Sequence, residues 1–169
     1  EVLSYLMPGP EASLLVDATV GQGGHSLLFL NSSPLLHVIG VDADPGMLEY
    51  ARQRLALHQD RLDLVHSWFD EFLVDYDRSS RPDRILMDLG ISMVHLSPEE
   101  GKGFSYRDSG PFDMRLNPED ERTAMDALSD LKESELADVI YEYGEERLSR
   151  RIARALKDRR REIESAVDA

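Results

Sequence analysis

Short apolar runs, each ending in a polar residue, recur along the first half of the chain. Four of them read LLVDA, HVIGVD, LDLVH and RILMD, at 14–18, 37–42, 62–66 and 84–88. Continuous apolar runs of this length are typical of strands buried on both faces, as in a parallel sheet. The pattern therefore predicts four parallel strands.

Helical signals separate these strands. Asp44 is a favoured N-cap, Pro45 suits the first helical position, and Leu48, Ala51 and Leu55 share one face of the helix that would follow. A shorter helix is predicted over 24–31, directly after a run of glycines. Strand and helix thus alternate as β-α-β-α-β, which predicts an α/β fold with a right-handed, doubly wound, Rossmann-like sheet.

The apolar pattern changes after Asp88. Residues 89–128 mix Gly, Pro, Ser and charged residues, and so long an irregular stretch is usually functional or disordered. Two helical patterns follow at 133–143 and about 145–163, with Gly144 as the stop between them. Their apolar faces are formed by Leu136, Val139, Ile140 and Tyr143, and by Leu148, Ile152 and Leu156. The chain is expected to divide into 1–90, 91–128 and 129–169, the last being a small helical subdomain.

Composition limits the class of protein. The chain has 169 residues, 41% of them hydrophobic, and no apolar run approaches the roughly 18 residues of a membrane span, which predicts a soluble domain. The absence of cysteine excludes disulfides and thiolate metal sites and favours a reducing cytoplasm. The five histidines show no spacing typical of ligands, so no metal site is predicted.

Charge is distributed unevenly. The net charge of −14 argues against nonspecific binding to nucleic acid, which requires clustered Lys and Arg. However, the segment RLSRRIARALKDRRR at 147–161 holds eight of the nineteen basic residues. This segment is either a solvated helix face or a contact for RNA or the ribosome, and the pattern leaves both open.

A glycine-rich turn follows the first strand in DATVGQGGHS, at 17–26. Such a turn lets the main chain approach a ligand, and the next helix offers free N–H groups to it. The spacing of Gly21, Gly23 and Gly24 matches neither the dinucleotide-binding motif nor the P-loop. Asp42, at the end of the second strand, is placed to accept hydrogen bonds from a ribose diol. The position of Asp42 points to a nucleoside-containing cofactor, but these residues alone leave a plain tight turn open as the alternative.

Two further residues follow strands. Phe69 comes after the third strand and either lies beside an adenine ring or packs in the core. Asp88 ends the fourth strand, where it either contacts a ligand at the carboxyl edge of the sheet or caps a following helix.

Five segments together resemble the bacterial 16S ribosomal RNA cytosine-N4 methyltransferases, the MraW or RsmH family. They read VDATVGQGGHS, IGVDADP, ILMDLGIS, GFSYRDSGPFDMRL and YGEERLSRRIARAL, and the last two are the most specific. The resemblance implies a class I methyltransferase sheet that uses S-adenosylmethionine. Its expected reaction is methylation of the exocyclic N4 amine of a cytidine in the decoding centre of 16S rRNA, within the small ribosomal subunit. It also implies that 1–90 binds the cofactor, 91–128 is the active-site or substrate loop, 129–169 recognises substrate, and further strands follow Ala169.

The resemblance also implies roles for individual residues. Cofactor contacts fall on Gly23, Gly24, His25, Asp42, Phe69, Asp88 and His95. His95 stands where the family usually has Gln in a Ser-Ser-Pro-Gln run, so an ordinary loop histidine is the alternative. Acceptors for the amine protons would be Asp88 or the backbone carbonyls of 89–92, which makes Asp88 and Ser92 the catalytic candidates.

Substrate contacts are expected in the two most specific segments. Phe104 or Tyr106 would stack on a splayed-out cytidine, and Arg150, Arg151 and Arg154 would contact phosphate, with structural packing as the alternative for the aromatic residues. Two other functions stay open: a Rossmann-like methyltransferase for a small molecule or protein, and a noncatalytic binding module that keeps the fold. Cofactor affinity separates the methyltransferases from the module.

Overall fold

The computed structural model describes residues 2–7, 9, 11, 13–77, 80–97 and 100–169. Contacts divide the chain into two compact parts, residues 1–90 (unit 1) and 91–169 (unit 2). The elements of unit 1 are α1 (Val2–Leu6), β1 (Ser13–Asp17), α2 (Gly24–Ser32), β2 (Leu36–Asp42), α3 (Pro45–Arg54), a 3-10 segment (Ala56–Arg61), β3 (Leu62–His66), α4 (Phe69–Asp75) and β4 (Arg84–Leu86). Those of unit 2 are α5 (Ala124–Asp130), α6 (Glu133–Gly144) and α7 (Ser149–Asp158).

The four strands form one parallel sheet in the order β3-β2-β1-β4. The predicted α/β fold with a four-stranded parallel sheet is confirmed. The chain passes from β1 to β2 and β3 on one side and then to β4 on the other, so the strand order reverses beside β1. In doubly wound folds, ligands bind where the order reverses, at the carboxyl ends of the strands.

The predicted crossover helix is confirmed as α3. The Asp44 side chain caps it by accepting a 2.7 Å hydrogen bond from the Gly46 amide, and Leu48, Ala51 and Leu55 are buried. The helix predicted over 24–31 is also present, as α2. Neither α1 nor α4 was predicted, because each is at most seven residues long, and α4 has no side-chain bond at its N-cap, Trp68.

An arginine fastens α2 to the sheet. The Arg61 guanidinium donates to the carbonyls of Leu30 and Ser33, near the end of α2, and to the carbonyl of Leu36, where β2 begins. Carbonyls at a helix end have no partner within the helix, so one side chain satisfies several of them. This contact sets the position of α2 and hence of the glycine turn that precedes it.

Unit 2 differs from the prediction at two helix boundaries. The helix expected to start at 145 begins at Ser149, because Glu145 takes a left-handed conformation with φ 52° and a turn on Glu146 intervenes. Leu148 is therefore exposed and does not continue the buried face of α7. In addition, α5 begins inside the stretch predicted to be irregular, where Thr123 and Asp126 form a reciprocal capping box.

Candidate functional site

Polar side chains end the strands of unit 1 along one edge of the sheet. Asp17, Asp42 and His66 are the last residues of β1, β2 and β3, and Asp88 follows β4 by two residues. Because all four strands are parallel, their carboxyl ends meet at the same edge. The chain thus brings three carboxylates to the place where this class of fold binds ligands.

The glycine turn lies at this edge, between β1 and α2. Gly21 and Gly23 have φ of 52° and 77°, in the left-handed region that side chains disfavour. A Cβ on Gly23 would also lie 3.0 Å from the Leu55 side chain, so this position is doubly restricted to glycine. Gly23 directly precedes α2, whose first amides have no partner within the helix and can donate to an anionic group.

Asp42 holds this turn in place. Its Oδ2 accepts a 2.8 Å hydrogen bond from the Gly21 amide and its Oδ1 accepts a 2.9 Å bond from the Asp44 amide. An ionised carboxylate has about four acceptor positions, so holding the turn does not by itself exclude a ligand contact. Asp42 is therefore both an organiser of the turn and a candidate ligand residue.

Asp17 is a candidate that the sequence reasoning missed. It is 1% exposed; Oδ2 accepts a 2.6 Å hydrogen bond from the Ser26 hydroxyl, and Oδ1 has no donor among the described residues. Burial raises the pKa of Asp17, while the Ser26 hydroxyl and Thr19 amide partly oppose that shift. A buried carboxylate oxygen without a donor is a place where a ligand N–H or O–H group can bind. The available signal was its position at the end of β1, equivalent to that of Asp42 at the end of β2.

Replacing Asp17 by asparagine is expected to change how stability depends on pH. The folded state binds the Asp17 proton more tightly than the unfolded state, so this stabilisation is lost as pH rises through the raised pKa. Asparagine carries no charge at any pH. The melting temperature of the Asp17→Asn variant relative to wild type should therefore be more favourable at about pH 8 than at about pH 4, close to the ordinary aspartate value of 3.8.

Thermal melts of the full-length protein at both pH values measure this difference. The exposed Asp60 provides the matched control, since Asp60→Asn should shift the melting temperature equally at both. A relative melting temperature of Asp17→Asn that is the same at the two pH values would contradict the burial of a charge at this position.

Asp88 and His25 lie together at the same edge. Asp88 Oδ2 is 3.5 Å from His25 Nε2, and the Asp88 amide donates a 2.8 Å bond to the Thr19 hydroxyl. The Asp88 side chain is 70% exposed. No helix starts near it within the described residues 89–97 and 100–123, so the alternative that Asp88 caps a following helix is wrong. Its carboxylate is available to accept hydrogen bonds.

Phe69 stands at the first position of α4 and is half-buried. Its predicted contact with adenine stays a prediction, as does core packing.

Three of the predicted residues in unit 2 form a packed group. The Ser92 amide donates a 3.1 Å bond to His95 Nδ1, so this ring nitrogen is an acceptor. His95 is buried, and its ring centroid lies 5.7 Å from that of Phe104. Phe104 thus packs against His95, whereas Tyr106 is exposed.

The three predicted arginines of α7 are exposed. Arg150 lies 3.6 Å from Asp138 and Arg154 lies 3.3 Å from Glu133, both on α6. Arg150 and Arg154 line a cavity of about 400 Å³ together with Lys132. The basic face of α7 is therefore partly neutralised by acidic residues of α6. Arg151 adds a third exposed guanidinium to this helix.

Two other features are absent from the part of the chain that the structure describes. Among the described residues, no group of acidic residues and histidines has the arrangement of a metal site. No helix in that part of the chain is both long and apolar enough to cross a bilayer.

The chemistry of the edge in unit 1 suits a ligand of mixed charge. Helix amides bind an anionic group, whereas the carboxylates of Asp17, Asp42 and Asp88 bind hydroxyl, amine or cationic groups. A ligand with both an amino-acid part and a ribose meets these requirements.

Comparison with known proteins narrows the class. The sequence profile of the MraW methylase family matches residues 1–168. The chain is similar to ribosomal RNA small subunit methyltransferase H of Treponema denticola, with 44% identity over 95% of this chain and 51% of that protein. It is also similar to the proteins of the same name from Prochlorococcus marinus, with 46% identity over 87% of the chain and 46% of the relative, and Mycobacterium avium, with 43% identity over 90% and 41%. The chain spans about half the length of the curated relatives it matches. On this match, which extends over almost every residue, the chain belongs to the MraW methylase family.

Proposed function

We propose that the protein containing this chain uses S-adenosylmethionine to methylate the N4 amine of a cytidine in 16S ribosomal RNA. The observation that carries the proposal is the carboxyl edge of the unit 1 sheet, where Asp17, Asp42 and Asp88 surround the glycine turn. Membership of the MraW methylase family supports methyl transfer. The curated relatives, named ribosomal RNA small subunit methyltransferase H, support the choice of RNA as substrate.

The residues of this edge fit the cofactor. The free amides of Gly24 and His25 at the start of α2 would bind its carboxylate, Asp42 its ribose hydroxyls, and the Asp17 oxygen without a donor its ammonium group. Because Gly23 has no side chain, a ligand can approach the main chain closely at this point. Phe69 would lie beside the adenine, and His95 is a further candidate contact.

The chain's part in the reaction is to bind, orient and accept protons. The cofactor supplies a methyl group made electrophilic by the sulfonium that carries it. The cytosine amine is a poor nucleophile because its lone pair is conjugated with the ring, and a carboxylate that accepts its N–H bonds makes the pair more available. Asp88 Oδ2 or a backbone carbonyl of 89–92 would be that acceptor. The Asp88 side chain is 70% exposed and carries a negative charge, which makes it the stronger acceptor of the two.

RNA would meet the protein at unit 2, within the small ribosomal subunit and in the cytoplasm. Arg150, Arg151 and Arg154 present cationic groups on α7, and phosphate contacts of this kind supply much of the affinity for RNA. The acidic remainder of the chain, which carries 29 of the 33 acidic residues before Arg147, would oppose binding elsewhere. Within 129–169, the substrate-recognition role would therefore be carried by the basic segment 147–161.

Methyl transfer to small subunits tests the proposal. The full-length protein is incubated with labelled S-adenosylmethionine and small subunits that lack the modification, and the digested RNA is examined by mass spectrometry. N4-methylated cytidine is expected. Tight cofactor binding without transfer would indicate a different methyltransferase substrate, and the absence of cofactor binding would indicate a noncatalytic module.

The same assay tests the arginines of α7. Changing Arg150, Arg151 and Arg154 together to glutamine should raise KM for the subunits about tenfold or more and leave kcat nearly unchanged, because phosphate contacts act on ground state and transition state alike. A fall in kcat with unchanged KM would contradict a role in RNA affinity.

A further inference from the structure

A tight turn in unit 2 presents two neighbouring side chains to solvent. It spans Ser105–Asp108, where the Asp108 amide donates to the Ser105 carbonyl at 2.9 Å and the Arg107 amide donates to Ser105 Oγ at 3.2 Å. Tyr106 and Arg107 occupy its tip.

The base of this turn is anchored by a buried carboxylate. Asp108 is 1% exposed, and its two oxygens accept 2.7 Å hydrogen bonds from the amides of Gly103 and Gly110. A Cβ on either glycine would lie within 3.0 Å of backbone atoms, so the chain closes tightly around Asp108. The turn is therefore pre-organised by hydrogen bonds that do not involve the side chains at its tip.

The two side chains at the tip form a pair that stays open to other partners. The Arg107 guanidinium lies 5.2 Å from the centre of the Tyr106 ring, and its Nε donates a 3.1 Å bond to the Tyr106 hydroxyl. Tyr106 is nevertheless 74% exposed. This Nε bond is the one hydrogen bond that the guanidinium donates to the residues that the structure describes. Its two terminal nitrogens therefore keep their N–H groups for a ligand.

The accessible charge at the tip is positive, in a chain whose net charge is −14. Within 101–110 the acidic residue is Asp108, and both of its oxygens are turned inward to backbone amides. An exposed aromatic ring beside a free guanidinium is the combination that binds unpaired nucleotides, because the ring stacks on a base and the cation binds phosphate. A rigid turn also lowers the entropy lost on binding.

We propose that Tyr106 and Arg107 form a stacking platform for an unpaired RNA base, with Arg107 on the adjoining phosphate. This inference rests on the proposed function, since it takes RNA as the substrate. It assigns Tyr106 a role in RNA affinity and gives Arg107 a contact with phosphate. Phe104 packs against His95 and is left out of the platform.

The experiment measures binding of the full-length, cofactor-free protein to small subunits that lack the modification, over a series of salt concentrations. Tyr106→Ala should weaken binding about 5- to 100-fold, as expected for loss of one base–aromatic stack. Tyr106→Phe keeps the ring and should bind within about threefold of wild type. Arg107→Gln should reduce the slope of log affinity against log salt by about 0.7, the value for one phosphate of a single strand.

Tyr5→Ala is the matched control, because Tyr5 is an exposed tyrosine on α1 to which no ligand contact is assigned. It should bind like wild type. The proposal is overturned if Tyr106→Ala binds the subunits with wild-type affinity, or if Tyr106→Phe and Tyr106→Ala lose affinity equally. It is also overturned if the melting temperature of Tyr106→Ala falls by several degrees, because the full-length protein would then bury the ring.

A photo-crosslinking residue at position 106 identifies the partner directly. Crosslinks to 16S RNA support the platform, whereas crosslinks to ribosomal protein overturn it. This outcome is independent of the proposed reaction. If wild type forms N4-methylated cytidine and Tyr106→Ala does so with unchanged KM, the platform is wrong and the reaction stands; if wild type transfers no methyl group, the reaction fails.

Discussion

Replacing Asp42 by alanine should weaken S-adenosylmethionine binding by about 100-fold or more, the largest effect expected of any single change at the cofactor site. Two losses add. The variant lacks the acceptor for the ribose hydroxyls, and it leaves the amides of Gly21 and Asp44 without the partners they have at 2.8 and 2.9 Å. Each part-buried amide without a partner costs about 1–3 kcal/mol, so the glycine turn should lose its binding conformation.

Isothermal titration of the full-length protein with the cofactor measures the affinity. Asp63→Ala is the matched control, because Asp63 is also a strand aspartate but pairs with His37 on the exposed surface, and it should bind the cofactor like wild type. A cofactor lacking the 2′-hydroxyl separates the two losses. It should bind wild type more weakly than the normal cofactor, but should show no such difference with Asp42→Ala. Near-normal affinity of Asp42→Ala would remove Asp42 from the site.

Replacing Asp88 by asparagine should lower the rate of methyl transfer about 100-fold, as expected when one group that stabilises developing charge is removed. The change keeps the size of the side chain and one acceptor oxygen but removes the negative charge that faces the amine. Cofactor affinity should change less, because Asp88 is 70% exposed and lies beside His25, whereas Asp42 organises the turn itself.

Single-turnover rates with saturating cofactor and unmodified subunits measure this effect. Asp75→Asn, at the exposed end of α4, serves as the control and should react at the wild-type rate. Unimpaired turnover by Asp88→Asn would exclude Asp88 as an essential carboxylate and leave the backbone carbonyls of 89–92 as acceptors.

Local signals in the sequence were sufficient for most of unit 1. Apolar runs located all four strands, but the burial on both faces that such runs predict is wrong for the edge strands β3 and β4, where Asp63 and Ile85 are exposed. Asp44 and Pro45 located the start of α3 because capping and φ preference act within one turn of helix. The same local logic was less successful at Glu145, whose left-handed conformation interrupts a continuous helical pattern and moves the start of α7 to Ser149.

By itself, the sequence determined the α/β class, the glycine turn, the aspartate that ends β2 and the aspartate that follows β4, since each is a property of neighbouring residues. Only the tertiary structure decided what these residues do together. Asp42 bonds to Gly21 across 21 positions of sequence, and Asp17 is buried with one oxygen left without a donor. Likewise, Phe104 turns to His95 while Tyr106 stays exposed with Arg107. Burial and long-range hydrogen bonds depend on which segments the fold brings together, and no local pattern of polar and apolar residues records that.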